Sequence, residues 1–383
     1  MQFIYHNEYH GIEFSRFENN GYTLIEIPQS DSSYIDKIQN GDVLFIKLDD
    51  IDLINEKVNS NLKLTIFLHI NHEYCNKYRR NDIIKNKNNN HNIFFITTHL
   101  DDETLEYDLS LKSKCLSFKM AFSNDIKSNS VRSKKFNFFN RSVNLRRLKV
   151  FELLKVNNIE LKNCYYTFGN IIKRNTFKDV TNISEFFYFR SKPGGGRSND
   201  DLTIDIDLLD SHRDEFLLLE DRDLVEHGII QSSSDAEMYR EINTQSADSY
   251  ASFIIESSSD SGDDLRITEK TIRAWLYKNI FLSLQCSGFN RALRNNGIET
   301  FEDVFGLEAD WDETQSETQR IETFVNALKR FNELPIEVVE EIYNSDSVQK
   351  RLENNYRFLN DSFNPFNMIV EIEKLISYEN NVY

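Results

Sequence analysis

The sequence predicts an α/β fold of two units, each a parallel sheet with helices on both faces. Three observations predict it. Apolar runs of strand length alternate with short helical stretches through residues 1–98, the grammar of βα repeats around a buried parallel sheet. The same strand–loop–helix grammar restarts near residue 133. A chain of 383 residues is also long enough for two domains with substantial cores.

Met1-Gln-Phe-Ile-Tyr5 reads as a first buried strand, followed by the polar loop His6 to Gly11 and a short helical stretch ending near Gly21. Tyr22–Ile27 is the second strand. Ser33–Gln39 is helical and stops at Asn40-Gly41, where glycine can take the left-handed conformation that closes a helix. Asp42–Leu48 is the third strand, Ile51–Val58 a helix and Leu62–Ile70 the fourth strand. Lys85 to His91 is a low-complexity exposed loop, and Asn92–Thr98 returns to strand.

The second unit opens with strand Lys135–Asn140, the polar turn Arg141–Asn144, and a helix over Leu145–Val156 with Leu148, Phe151 and Leu154 at helical spacing. That is how a Rossmann unit begins, with its ligand crevice at the strand's carboxyl end. The turn lacks glycine, so it is no dinucleotide fingerprint; Arg141, Arg146 and Arg147 stand in its place. Lys192-Pro-Gly-Gly-Gly-Arg197 lacks the G-K-[ST] ending of a phosphate cradle and reads as a surface loop. Asp200–Glu226 is acidic, partly helical surface. Tyr250–Glu256 is a strand ending in a carboxylate, Ser257–Asp264 a loop, and Thr268 the N-cap of the next helix. Ile280–Leu284 is a strand, and Gly288–Phe301 a helix closed by Gly297 and a turn. Glu317–Phe331, Ile336–Leu359 and Phe366–Leu375 are amphipathic helices. The expected domains are 1–130, 131–345 and a C-terminal helical segment 346–383 that crosses back to the first domain or packs locally.

Composition excludes several classes. No run of 18 apolar residues exists, so no membrane span is expected. The N-terminus lacks a basic region followed by an apolar run and cleavage site. Cys75, Cys115, Cys164 and Cys286 form no C-x-x-C pair, which points to a reducing cytoplasm (host cytoplasm for a viral chain) and away from zinc. The net charge of −17 is unevenly spread: residues 72–180 carry 21 Lys/Arg against 11 Asp/Glu, a net of +10. Such a stretch can steer an anionic ligand or form a solvated basic face.

The most informative segment is Arg266-Ile-Thr-Glu-Lys-Thr-Ile-Arg273-Ala-Trp275. It gathers Thr268, Glu269, Lys270 and Arg273 at the start of one helix, close behind Glu256. A carboxylate there can accept bonds from sugar hydroxyls, and a Lys beside unpaired helix N–H groups can hold a pyrophosphate.

This "T-E-K" run resembles the donor-binding segment of nucleotide-sugar glycosyltransferases of the two-Rossmann (GT-B) kind. It is most similar to the fucosyltransferase-type segment and to related phage and bacterial enzymes. The upstream wording "F-x-F-F-N-R…R-x-x-x-F-x-L-L…Y-T-F-G" from Phe136 to Gly169 is similar to the opening of their donor domain. The resemblance covers about 133–330, with a gap over 190–245. Gln285-Cys-Ser-Gly288 departs from it, since the relatives' turn usually carries more glycine.

The resemblance implies two Rossmann-like domains facing a cleft. The first takes the acceptor and the second a nucleoside-diphosphate sugar as co-substrate, with no cofactor and no metal. It implies that an Arg reaches the donor phosphates; Arg147 is favoured for the role, with Arg146 the alternative because the spacing permits either. A general base is expected on the first domain: His10 in the loop after the first strand, or Asp101, with Glu8 and His99 as competitors. Asp101-Asp102 reads as a helix-capping pair, not a metal triplet. The acceptor is a glycan, a small molecule or DNA. A modified-base glycosyltransferase and a non-catalytic nucleotide-binding protein on the same fold are the alternatives.

Overall fold

The computed structural model describes residues 2–6, 17–18, 21–27, 33–47, 50–58, 61–69, 91–96, 131–140, 145–168, 204–212, 242–256, 267–313 and 315–361. By packing, the chain divides into two compact units, Met1–Met120 with Asn360–Tyr383, and Ala121–Leu359. Both are α/β with wholly parallel sheets.

The first unit holds β1 (Gln2–His6), β2 (Thr23–Ile27), β3 (Val43–Lys47), α1 (Asp50–Lys57), β4 (Leu64–His69) and β5 (His91–Ile96). Their order across the sheet is β2-β1-β3-β4-β5. Side chains alternate across a strand, and the register aligns Ile4 with Leu44 and Leu44 with Ile66. One face is therefore aliphatic, packed against Ile51 and Ile54 of α1 and against Tyr34 and Ile35 of a 3₁₀ turn over Ser33–Lys37. The opposite face is aromatic: Phe3 stacks on Phe17 at 4.2 Å, and Phe45 on Phe67 at 6.2 Å. Burial on both faces explains why these strands read as near-continuous apolar runs. The turn before β3 depends on Gly41 at φ 88°, and Asp42 fixes it by accepting the backbone N–H groups of Gln2 and Gln39 at 2.8 and 2.7 Å.

The second unit contains β6 (Lys134–Asn140), α2 (Leu145–Val156), β7 (Cys164–Phe168), α3 (Ile206–Ser211), β8 (Ser249–Ile255), α4 (Glu269–Leu276), β9 (Ile280–Leu284), α5 (Phe289–Asn295), α6 (Glu317–Glu333), α7 (Ile336–Asn344) and α8 (Asp346–Asp361). The sheet order is β7-β6-β8-β9. Phe138 and Phe253 meet Phe324 of α6, while Phe281 meets Trp275 of α4. Phe253 is level with Leu282, so Phe281 points to the opposite face. Helices thus cover both faces. Fully burying each of these rings contributes about 1.5–3 kcal/mol relative to leaving it exposed.

α6 begins with a capping box in which the Ser316 hydroxyl accepts from Gln319 N–H and the Gln319 side chain accepts from Ser316 N–H. It runs against β6. Glu317 in its first turn pairs with Arg146 at the start of α2, and near its other end Phe331 packs on Phe136. Lys135, buried at the amino end of β6, donates to the carbonyls of Asn332 and Leu334 where α6 stops, a favourable place for a cation.

The sequence predicts one helix over 336–359, whereas the chain breaks at Ser345 (φ −64°, ψ 143°) into α7 and α8. Ser345 donates its hydroxyl to Ile342 O at 2.8 Å and accepts Gln349 N–H at 2.9 Å. A Ser between Asn and Asp offers the backbone local bonds that compete with helix continuation. α8 packs on the second unit through Glu353 to Lys278 at 2.7 Å and Asn355 to Glu299. The expected helix at Phe366–Leu375 lies outside the described residues. Among those described, no helix is long and apolar enough to cross a membrane.

Candidate functional site

The order of the second sheet reverses between β6 and β8: the chain leaves β6 for β7 on one side, then returns to add β8 and β9 on the other. In open parallel sheets the crevice outside the carboxyl ends of the strands at such a point is where ligands bind. The described parts of the two segments singled out in the sequence, β6 with the start of α2 and Glu256 with the start of α4, lie there on adjacent strands and the helices that follow them. The starts of α2 and α4 lie at this edge, and the Arg146–Glu317 pair brings the start of α6 to it.

Arg147 makes the link across the reversal. It is buried on α2, and its Nη2 donates to Ile255 O, the last carbonyl of β8, at 2.7 Å. Arg146, beside it, is held by Glu317, which also takes Arg320 from the next turn of α6. The sequence favours Arg147 over Arg146 as the phosphate contact. The structure gives Arg146 a carboxylate partner and Arg147 a backbone carbonyl. Lys135 and Arg147, both counted in the basic stretch, are interior side chains.

Glu256 is fully buried. Its carboxylate accepts the Thr268 N–H at 3.1 Å and the hydroxyls of Thr268 and Thr271. Thr268, the N-cap of α4 at φ −111° and ψ 177°, in turn accepts Lys270 N–H at 3.4 Å. A hydroxyl can donate and accept at once, so one side chain joins the strand end to the helix start. Glu256 thereby places a carboxylate at the positive pole of α4. α2 carries no acidic residue of its own in its first turn, but the Glu317 carboxylate on Arg146 lies at that pole. Glu269 and Lys270 form the first turn of α4, and Lys270 is half-buried. Arg273 reaches elsewhere, donating from Nε to Asn243 Oδ1 at 3.1 Å in the helical stretch 242–247 that leads into β8.

His10, Asp101, Arg141, the competing Glu8 and His99, the Lys192–Arg197 loop and the Glu269 side chain lie outside the described residues. Among those described, no group of three or more His, Cys, Asp or Glu is placed to hold a metal ion.

Sequence reasoning passed over Asn140. It ends β6 at the reversal and is 1% exposed, and neither its Oδ1 nor its Nδ2 has a hydrogen-bond partner among the described residues. The signal was an Asn closing an apolar strand, where that residue type is depleted. Compared with known proteins, the chain matches no family model, no curated sequence and no solved structure.

Proposed function

We propose that this chain is a glycosyltransferase that moves a sugar from a nucleoside-diphosphate sugar to an acceptor hydroxyl, with the two-Rossmann (GT-B) arrangement that its donor-type segment implies. The observation that carries this reading is the meeting of the two resemblance-bearing segments at the β6/β8 reversal, across which Arg147 bonds Ile255 O. In this reading the diphosphate sits against the start of α2 and the first turn of α4, where helix N–H groups and Lys270 supply counter-charge to the departing group. Glu269 accepts from the ribose. The first unit takes the acceptor, whose hydroxyl displaces the nucleoside diphosphate at the anomeric carbon. Its proton goes to a base, for which His10 is the first candidate and Asp101 the second.

A thermal-shift panel of nucleoside diphosphates tests the reading. A ligand at about 100 times its Kd stabilises the folded protein by about 2.7 kcal/mol. One nucleoside diphosphate should raise the melting temperature, and Lys270→Ala and Glu269→Gln should each reduce the rise while leaving the unliganded protein folded. No response to any nucleoside diphosphate sinks the reading. With donor and acceptor in hand, near-normal turnover in His10→Ala would move the base to Asp101.

A further inference from the structure

The Asn140 amide has no structural employment. Phe136 and Phe138, on the same face of β6, pack against Phe331 and Phe324 of α6, and alternation puts Asn140 in that row. Its backbone N–H is satisfied by Thr167 Oγ1 at 3.2 Å on β7. Among the described residues it is the one side-chain amide with both polar atoms buried and unpartnered. Extending the β6–β8 register from Asn137 and Ser252 sets Asn140 level with Ile255, the residue whose carbonyl Arg147 holds. The amide therefore lies at the carboxyl edge of the sheet, beside the start of α2. Buried amides of folded proteins almost always find partners, because an unpaired one forfeits its hydrogen bonds to water.

The chemistry of the amide narrows what can complete it. Nδ2 donates and Oδ1 accepts. A phosphate at neutral pH only accepts and would leave Oδ1 unpaired. A hydroxyl donates and accepts and can serve either atom or, with a second hydroxyl beside it, both. We propose that Asn140 is a ligand-contacting residue of this crevice and that the group it receives is a sugar hydroxyl of the bound nucleotide, not its phosphates. The inference rests on the donor-site reading above. It assigns Asn140 to selecting the sugar part, while the helix starts and cations hold the diphosphate. It also predicts a trade between function and stability, since an apolar side chain of similar size removes an unpaired buried amide.

The experiment measures binding of inorganic pyrophosphate, a nucleoside diphosphate and its sugar conjugate by calorimetry, alongside melting temperatures without ligand, for the wild type, Asn140→Leu and Asn140→Asp. The expected result is an unliganded Asn140→Leu protein at least as stable as the wild type, with pyrophosphate affinity unchanged and nucleotide affinity lower by about tenfold or more. Weakening of the nucleoside diphosphate and its conjugate together identifies the ribose as the hydroxyl source; weakening of the conjugate alone identifies the transferred sugar. Asn140→Asp keeps the shape and loses the donor, so it carries the same comparison if the Leu variant does not fold. Three results overturn the proposal: unchanged affinity for all ligands, as expected of an amide that holds only a buried water; equal weakening of pyrophosphate; or a marked fall in unliganded stability of both variants. If the wild type binds none of the three ligands, the donor-site reading fails and this proposal fails with it. Nucleotide binding by the wild type with unchanged variants removes Asn140 alone.

Discussion

Arg147 and Ile255 stand 108 positions apart in the chain, yet the Arg147 guanidinium donates to the Ile255 carbonyl at 2.7 Å. The bond ties the helix after β6 to the end of β8 across the reversal of strand order. Arg147→Met keeps much of the apolar stem and removes the bond. The expected cost is about 1.5–3 kcal/mol, the range for hydrogen bonds to charged groups. Urea unfolding should show a lower midpoint with an unchanged slope. An unaltered midpoint would mean the bond does not contribute to the fold.

Glu256 and Thr268 act as one unit joining β8 to α4. Glu256→Gln turns an acceptor oxygen into a donor amide facing donors, and Thr268→Val removes the N-cap. Loss of the cap costs about 1 kcal/mol; the Gln variant should cost more, because donors buried around it lose their acceptor. The two effects should not add, since both remove the same bond. A double-mutant cycle with an interaction energy below about 0.5 kcal/mol would show that they are independent.

Arg132 anchors the amino end of the second sheet. Its buried guanidinium donates to the carbonyls of Ser249 and Tyr277 and to the Tyr343 hydroxyl at 2.8 Å, and it lies 4.8 Å from the Tyr343 ring centre. Tyr343 passes the contact on by donating to Lys278 O at 3.1 Å. Tyr343→Phe keeps the ring and loses both bonds, for an expected cost of about 1–2 kcal/mol. Hydrogen exchange should rise in α7 first; uniform exchange across the unit would argue against a local anchor.

Burial pushes the Tyr277 phenol up to about 12 from an ordinary 10.0. The native state therefore keeps its proton where the unfolded chain begins to lose it. This contribution is fully present below pH 10 and is lost as pH rises toward about 12. Stability measured by denaturant should fall across that window, and Tyr277→Phe should make the fall shallower. The same slope in both proteins would place the alkaline sensitivity elsewhere. The Cys164 thiol, also raised to about 12 by burial, should resist alkylation at neutral pH until the protein unfolds.

The sequence alone determined most elements and the local chemistry of their ends. The helix at 145–156, the strand at 280–284 and the Thr268 cap stand where periodicity and capping residues place them, because those signals act over a few residues. β7 was visible only as part of the "Y-T-F-G" wording, and the break at Ser345 was hidden by an unbroken amphipathic pattern. Tertiary structure alone decided which strands neighbour one another, and with that the role of each polar residue. Glu256 reads locally as a carboxylate available to a ligand, but β8 and α4 close on it. Arg273 reads as part of the T-E-K cluster, but it bonds Asn243. Asn140 looked like a strand end until burial and missing partners set it apart. The physical reason is range. Helix caps and strand alternation are written in neighbouring residues, while strand order and the burial of a polar group depend on segments a hundred residues away.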